Sequence, residues 1–435
     1  MGRLVYMLNM SISGIKNIEK EISIDFYGKK VDKKFDPDKN RIKAIYGENG
    51  SGKTAIISAV DIVKNFVIDE NYLRDNKSRT LLAELVNKKT RRLVFRCEFV
   101  TLVEIIYIYE YEVVLSLDEN EEVNVSYESL KYRKNNSKNS QTVAFVSKNG
   151  EFTELNIEEG IKGVIIDKTK NLLQKQSALY MIFSLIAQNN KVIKGGMVFI
   201  YAEIFFLLVH TYFDKEDRHI TYYQRKRLNE LKQNQLPSES IIDEVSQSIP
   251  TNEKRVRVED YEKYLKKIEG LERFIRLFKP KLNKIDIDKT DDKEFYVCKM
   301  IMNYGTYTVD KEFESTGIKH LIDMYDALKL ASIGAVVFID EMDANINDIL
   351  LNKIIEYFKL YSDGQLIFTA HNTDPMIVVK DNSKSIDFLT NDNKIVSWVK
   401  NGHYSPDNCY RNGMIESMPF NIDASDFISA FGEEK

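Results

Sequence analysis

Apolar and polar positions alternate with a period of two over Met7–Ser13 and Glu21–Phe26, which predicts two strands around a turn at Gly14–Asn17. The charged stretch Val31–Arg41, with Pro37, reads as a loop or edge. Ile42–Tyr46 is an unbroken apolar run and predicts a buried strand, whereas Ala55–Phe66 has helical spacing. Polar Asp69–Thr80 and a short helix at Leu81–Val86 follow. From Leu93 to about Ile166 the chain is rich in Val, Ile, Tyr and Phe between Asn/Asp/Gly/Ser turns. Strands are expected there at Leu93–Val100, Glu104–Leu115 and Val143–Val146, and Asn135–Ser140 reads as a solvated loop.

Near Lys168 the pattern changes to a helical one that is almost free of glycine. Leu172–Gln188 and Met197–Phe213 are apolar at helical spacing, while Tyr223–Leu236 and Val258–Phe278 are charged and amphipathic around a polar middle, Gln235–Lys254. No heptads persist, which argues against a long coiled coil. Strands return at Lys284–Ile287 and Tyr296–Tyr307. Helix Ile318–Ala331, strand Ala335–Asp340, helix Asp348–Tyr361 and strand Gln365–Ala370 then alternate, as parallel β/α units do. The expected organisation is an N-terminal lobe at 1–166, a helical insertion at 167–283 and a C-terminal lobe at 284–435.

Composition bounds this picture without changing it. At 435 residues, 43% hydrophobic and 29% charged, the chain is long enough for more than one core, or for one core with a large insertion. The net charge of −4 gives no global cationic field for nucleic acid or membrane. Cys97, Cys298 and Cys409 lie far apart, which argues against a zinc site or disulfide framework and favours a cytoplasmic setting. The most apolar run, Met197–Val209, contains Glu203 and is shorter than the ~20 residues a bilayer requires, so no membrane association is expected.

The stretch Gly47-Glu48-Asn49-Gly50-Ser51-Gly52-Lys53-Thr54 fits the pattern G-x-x-x-x-G-K-[ST] between a predicted strand and a predicted helix. Glycines there let successive N–H groups converge on a phosphate, and the helix N-terminus adds its dipole. Lys53 is expected to reach the β- and γ-phosphates of a nucleotide, and Thr54 to bind Mg²⁺. Asp340-Glu341 closes an apolar strand. Asp340 suits Mg²⁺ coordination, and Glu341 suits polarisation of an attacking water. Ser315 and Gly317 precede an amphipathic helix; taken alone they read as a helix cap, with a second phosphate-binding helix start as the alternative. His371 ends the next strand, where ligand-side residues of a parallel sheet collect.

In order and spacing these four motifs resemble the ABC-type ATPases, an α/β P-loop fold with a mixed sheet and an antiparallel β subdomain. The resemblance is to the soluble branch that includes the RecF, SMC and OLD-like proteins. Within it, Glu314-Ser315-Thr316-Gly317, Asp340-Glu341-Met342-Asp343-Ala344 and Thr369-Ala370-His371-Asn372 look like the AbiLi/RloA group of abortive-infection ATPases. The resemblance spans 1–166 and 284–435, and the segment between carries no specific motif.

It implies two ATP molecules, each with Mg²⁺, held between two heads of a homodimer or higher even-numbered oligomer. Ser315 and Gly317 of one copy then contact the γ-phosphate held by Lys53 of the other, Asp343 links the two sites, and His371 senses the γ-phosphate. Glu341, Lys53 and His371 are thus the expected catalytic residues. Gly47, Asn49, Gly50, Ser51, Gly52, Lys53, Thr54, Ser315, Gly317 and Asp343 are expected to bind nucleotide, and Thr54 and Asp340 the metal.

Two departures stand out. Ser315-Thr316-Gly317 replaces the longer Leu-Ser-Gly-Gly-Gln motif, and no glutamine between Lys53 and Gln141 fills the position that normally follows the first lobe's strands. The residues after His371 are too few for the Toprim nuclease domain of OLD proteins, and Asp387 reads as a surface residue. A nuclease activity therefore calls for a separate effector protein. The alternative is an ATPase acting on DNA in repair, through the basic clusters Lys88–Arg92, Lys131–Lys134 and Tyr222–Arg227.

Overall fold

A computed structural model describes residues 4–28, 31, 35–103, 106–135, 141–188, 193–213, 241–242, 245, 249–382, 384–400 and 404–415. The predicted Tyr223–Leu236 helix, the 222–227 basic cluster, most of the 235–254 middle and the acidic tail from Asp423 lie outside these residues.

Among the described residues three sheets organise the fold, which is mixed α/β, as the sequence pattern predicts. The first sheet has seven strands in the order β2-β1-β4-β5-β6-β7-β8, every neighbour antiparallel. Its members are β1 (Val5–Ser13), β2 (Ile22–Asp25), β4 (Arg92–Thr101), β5 (Tyr107–Leu117), β6 (Val123–Lys134), β7 (Thr142–Lys148) and β8 (Glu151–Leu155). The central sheet orders six strands as β17-β16-β3-β15-β14-β9. These are β3 (Ile42–Gly47), β9 (Val209–Tyr212), β14 (Val336–Ile339), β15 (Gln365–Thr369), β16 (Ile386–Leu389) and β17 (Ile395–Ser397). All its pairings are parallel except β16–β17. A four-stranded antiparallel sheet follows, from β10 (Arg255–Arg257), β11 (Lys284–Asp292), β12 (Phe295–Asn303) and β13 (Thr308–Asp310).

One side chain ties the first two sheets together. Gln365, at the start of β15, accepts from the Met7 N–H at 2.7 Å and donates to the Met7 carbonyl at 3.0 Å. The amide thus continues the ladder of β1, whose pairing with β4 shifts register between Met7 and Asn9. Met7, Met10, Ile12, Ile24, Ile45 and Phe338 belong to the same continuous buried core. Glu128 of β6 is the other deeply buried anchor. Its carboxylate takes the Ser177 hydroxyl (2.7 Å) and the Ala178 and Leu179 N–H groups (2.6 and 3.2 Å), so it satisfies the start of the Ala178–Ala187 helix.

Two local expectations change. Apolar spacing over Met197–Phe213 predicts one helix, but the helix ends at Leu207 and the chain turns into β9, paired in parallel with β14. Apart from Glu203 the helix is apolar throughout, and such a run does not distinguish buried helix from buried strand. In β9, His210 is fully enclosed, and burial pushes its imidazole down to about 3, so the ring is neutral. Asp387 is not a surface residue. It is 0% exposed in β16, with Oδ2 2.6 Å from the Lys43 ammonium of β3. Lys43 also donates to the carbonyls of Asp25 (3.0 Å) and Lys384 (2.8 Å). The acid pairs with the buried lysine of the neighbouring strand, because a buried charge is costly unless paired.

Candidate nucleotide site

The register of the central sheet brings the separate motifs to one rim. Thr369 of β15 lies opposite Ile45 of β3, and Phe368 lies opposite Ile339 of β14. The loop after β3, the Asp340-Glu341 pair after β14 and His371 after β15 therefore leave the carboxyl ends of three adjacent parallel strands, where ligands bind in open α/β sheets.

The Gly47–Gly52 loop runs from β3 into the Lys53–Ile68 helix. Gly50 and Gly52 take φ of +80° and +114°, which side chains adopt rarely. At Gly47 a Cβ would meet the Leu389 carbonyl at 2.7 Å and the Ser51 hydroxyl at 2.6 Å. Lys53 is nearly buried, and its ammonium folds back to donate to the Gly47 (2.7 Å) and Glu48 (3.0 Å) carbonyls. Burial lowers its affinity for the proton, while the carboxylates of Asp340, Glu341, Asp343 and Glu48 oppose that shift. The lysine is thus electrostatically coupled to the acids across the rim. Asn49 and Gly50 are exposed on the outer turn, and Ser51 is buried with an unpaired hydroxyl oxygen.

Thr369, which has no assigned role within the Thr369–Asn372 motif, holds the acidic pair. Its hydroxyl donates to Asp340 Oδ1 at 2.6 Å and accepts the Glu341 N–H at 2.8 Å. Glu341 takes φ +48°, a conformation of order 1–3 kcal/mol above the usual regions that the Thr369 contacts hold in place. Its side chain is half exposed, with Oε1 4.0 Å from His371 Nε2. Asp343 Oδ2 accepts the N–H groups of His371 (2.9 Å) and Asn372 (2.6 Å), so within one chain it fixes the turn that presents the histidine.

The chemistry of the donors fits Mg²⁺. Thr54 and Asp340 both carry hard oxygen donors, and the Asp340 carboxylate acts electrostatically on Lys53; Mg²⁺ is typically held by one or two protein oxygens plus phosphates and water. Among the described residues no group of three or more His, Cys, Asp or Glu forms a cage for a metal. When bound, Mg²⁺ would neutralise phosphate charge; this chain's own Lys53 and loop N–H groups would position the phosphates.

The Ser315 turn stands on the same rim but on a different element. It starts the Thr316–Ser332 helix, which packs on β14 and β9. Ser315 is exposed and its hydroxyl makes no capping bond. Gly317 has a reason internal to the chain: a Cβ there would lie 2.4 Å from the Asn345 carbonyl.

Asn17 is also missed by sequence reading, which saw only a turn. Its side-chain amide donates to the Gly50 (2.8 Å) and Ser51 (3.1 Å) carbonyls, while Asn393 donates to its own carbonyl (3.1 Å) and Asn391 to Glu48 Oε2 (2.7 Å). Two turns thus clamp the loop from behind. Asn17→Ala is expected to raise the ATP concentration for half-maximal turnover by about fivefold, the worth of about 1 kcal/mol, with little change in melting temperature. Steady-state kinetics and a melting curve check this.

No glutamine joins the site from the first lobe. Gln141 donates to Glu110 in the antiparallel sheet, and Gln176 donates to the Glu70 carbonyl, past the far end of the Lys53–Ile68 helix, which rises about 22 Å from Lys53. Among the described residues of the basic clusters, Lys89 pairs with Glu19 (2.6 Å), Lys88 with Glu84 (3.7 Å) and Lys131 with Glu110 (2.8 Å), and Arg91 donates to the Asp118 carbonyl. No helix of the described residues is long and apolar enough to cross a membrane.

No family model matches the chain, and no curated protein matches it. Among solved structures it is similar to one described as the SMC head bound to the C-terminal winged-helix domain of ScpA, at 13% identity and TM-score 0.41 over 90% of this chain and 98% of that one. It is also similar to two of the recombination mediator protein RecF in the RecFOR pathway. That with ATPrS has 11% identity and TM-score 0.38, and that with ATP has 13% identity and TM-score 0.35; each covers 92% of this chain and 99% of the other.

Proposed function

We propose that this chain is an ATP-binding and ATP-hydrolysing ATPase of the ABC type that works as a homodimer or higher even-numbered oligomer and controls a separate effector protein. The observation that carries the ATPase reading is the convergence of a glycine-turned phosphate loop, a buried lysine and the Asp340-Glu341 pair at adjacent strand ends. In this reading the loop N–H groups and Lys53 hold the triphosphate, while Thr54 and Asp340 hold Mg²⁺. Glu341 orients the attacking water, and His371, fixed by Asp343, meets the γ-phosphate. Ser315 and Gly317 complete the site of a second copy. The lobes at 1–166 and 284–435 form the head in this reading, with 167–283 as its insertion except for β9, which joins the central sheet, and β10, which joins the sheet of β12.

The resemblance of the Ser315, Asp340 and His371 motifs to the AbiLi/RloA group supports a role in anti-phage defence, with a Toprim-type nuclease as one fitting effector. Lys53→Ala is expected to lower ATP binding and turnover at least 10²-fold, because it removes the buried cation of the Gly47–Thr54 loop. Equal turnover in wild type and variant would sink the ATPase reading. Purification from the native host with its associated proteins tests the effector. DNA affinity that rises with ATP and falls steeply with salt would favour the DNA-repair ATPase instead.

A further inference from the structure

We infer that Glu314 is a positioning residue for the Ser315 turn, and that the Tyr261–Phe278 helix sets the competence of the shared ATP site through it. The inference rests on the dimeric reading above. Glu314 is 7% exposed and directly precedes Ser315. One carboxylate oxygen lies 2.6 Å from the Lys279 ammonium and 3.3 Å from the Ser315 N–H, and the other accepts the Tyr304 hydroxyl. Lys279 is the C-terminal cap of the Tyr261–Phe278 helix, and its ammonium also lies 5.0 Å from the centre of the Tyr304 ring. Tyr304 directly follows β12. One carboxylate therefore joins a helix end, a sheet and the turn bearing Ser315.

Burial pushes the Glu314 carboxyl up, but the Lys279 ammonium and the Tyr304 hydroxyl outweigh it, so the carboxyl stays below its usual range and is ionised at neutral pH. A buried ion pair is weak evidence for stability, since apolar replacements often serve as well. What this one supplies is direction. The neighbouring contacts act on the same turn: Lys319 donates to the Glu312 carbonyl (3.1 Å), Lys311 pairs with Asp323 (2.6 Å), and the Asn345 carbonyl packs against Gly317. Ser315 is left exposed, its hydroxyl uncommitted to its own helix. A shift of the Tyr261–Phe278 helix must pull on Lys279, and hence on the Ser315 backbone, whereas Lys53 and its loop belong to other elements.

The test uses the full chain with Glu314→Gln, Lys279→Met and the gentler Glu314→Asp, which keeps the charge but withdraws it by one methylene. Each is made alone and on Glu341→Gln. Binding of a fluorescent ATP analogue to the Lys53 site is expected to stay within about twofold, whereas kcat falls about tenfold, as for about 1.4 kcal/mol lost in the transition state alone, with KM little changed. ATP-driven self-association of the Glu341→Gln protein is expected to weaken about tenfold. Folded variants that keep both kcat and self-association overturn the inference. Glu341→Gln that fails to self-associate by itself overturns the dimeric reading, and the inference with it. Loss of analogue binding together with kcat overturns the inference alone, because it marks a general structural role.

Discussion

Glu341→Gln is expected to reduce ATP turnover by on the order of 10²–10³-fold while ATP still binds, and to hold two copies together around it. The magnitude is that of removing a group that positions or polarises the attacking water. Glutamine keeps the size of the side chain, and the main-chain bond to Thr369 that holds φ at +48° is unaffected, so the loop geometry survives. Asp340, Lys53 and the phosphate loop are untouched, so binding is retained. In the proposed dimeric reading hydrolysis releases the two copies, and blocking it accumulates the ATP-bound form. Light scattering with and without ATP reads the result: the mass should double with ATP, and adding Lys53→Ala should abolish the change. The same mass in both conditions would end the dimer reading, whatever the turnover shows.

The largest expected effect on stability lies in the central sheet. Breaking the Lys43–Asp387 pair from one side, by Lys43→Met or Asp387→Leu, is expected to cost about 3–5 kcal/mol, because each leaves an uncompensated charge in the core. Both partners are essentially without solvent contact, at 2% and 0% side-chain exposure. Burial lowers the proton affinity of Lys43, and the Asp387 carboxylate opposes it. The double replacement should recover most of the loss, since neither charge is then stranded. Urea unfolding of the two single variants and the double variant forms a cycle that isolates the pair. Single variants that each lose under about 1 kcal/mol would contradict this account.

The parts legible in the sequence are those whose signal is local. The Asp348–Tyr361 helix is read with its observed bounds, because an Asn347 cap precedes a clear apolar stripe. The Gly47–Thr54 loop is legible because its glycines serve a backbone path set by neighbours in sequence. Asp340 is legible because it ends an apolar strand. Other features were unreadable for a common reason. β6 mixes polar and charged residues, and Glu128 within it is buried only because the Ala178–Ala187 helix starts against it. β9 looks helical until β14 takes it as a partner. Asp387 looks like a strand exit until β3 supplies Lys43.

By itself, then, the sequence determined which residues are the candidates for the chemistry proposed above: the Gly47–Thr54 loop, Asp340 and Glu341 announce themselves by residue type and short spacing, which suffices where the geometry is made by consecutive residues. Only the tertiary structure decided how they are held. Asn17 clamps Gly50, Thr369 bridges Asp340 to Glu341, Asp343 fixes His371, and Lys279 reaches Glu314. Each of these joins residues far apart in the chain. Hydrogen bonds and ion pairs of this kind leave no periodicity, because burial against a distant element, not the neighbouring residues, makes the pairing favourable.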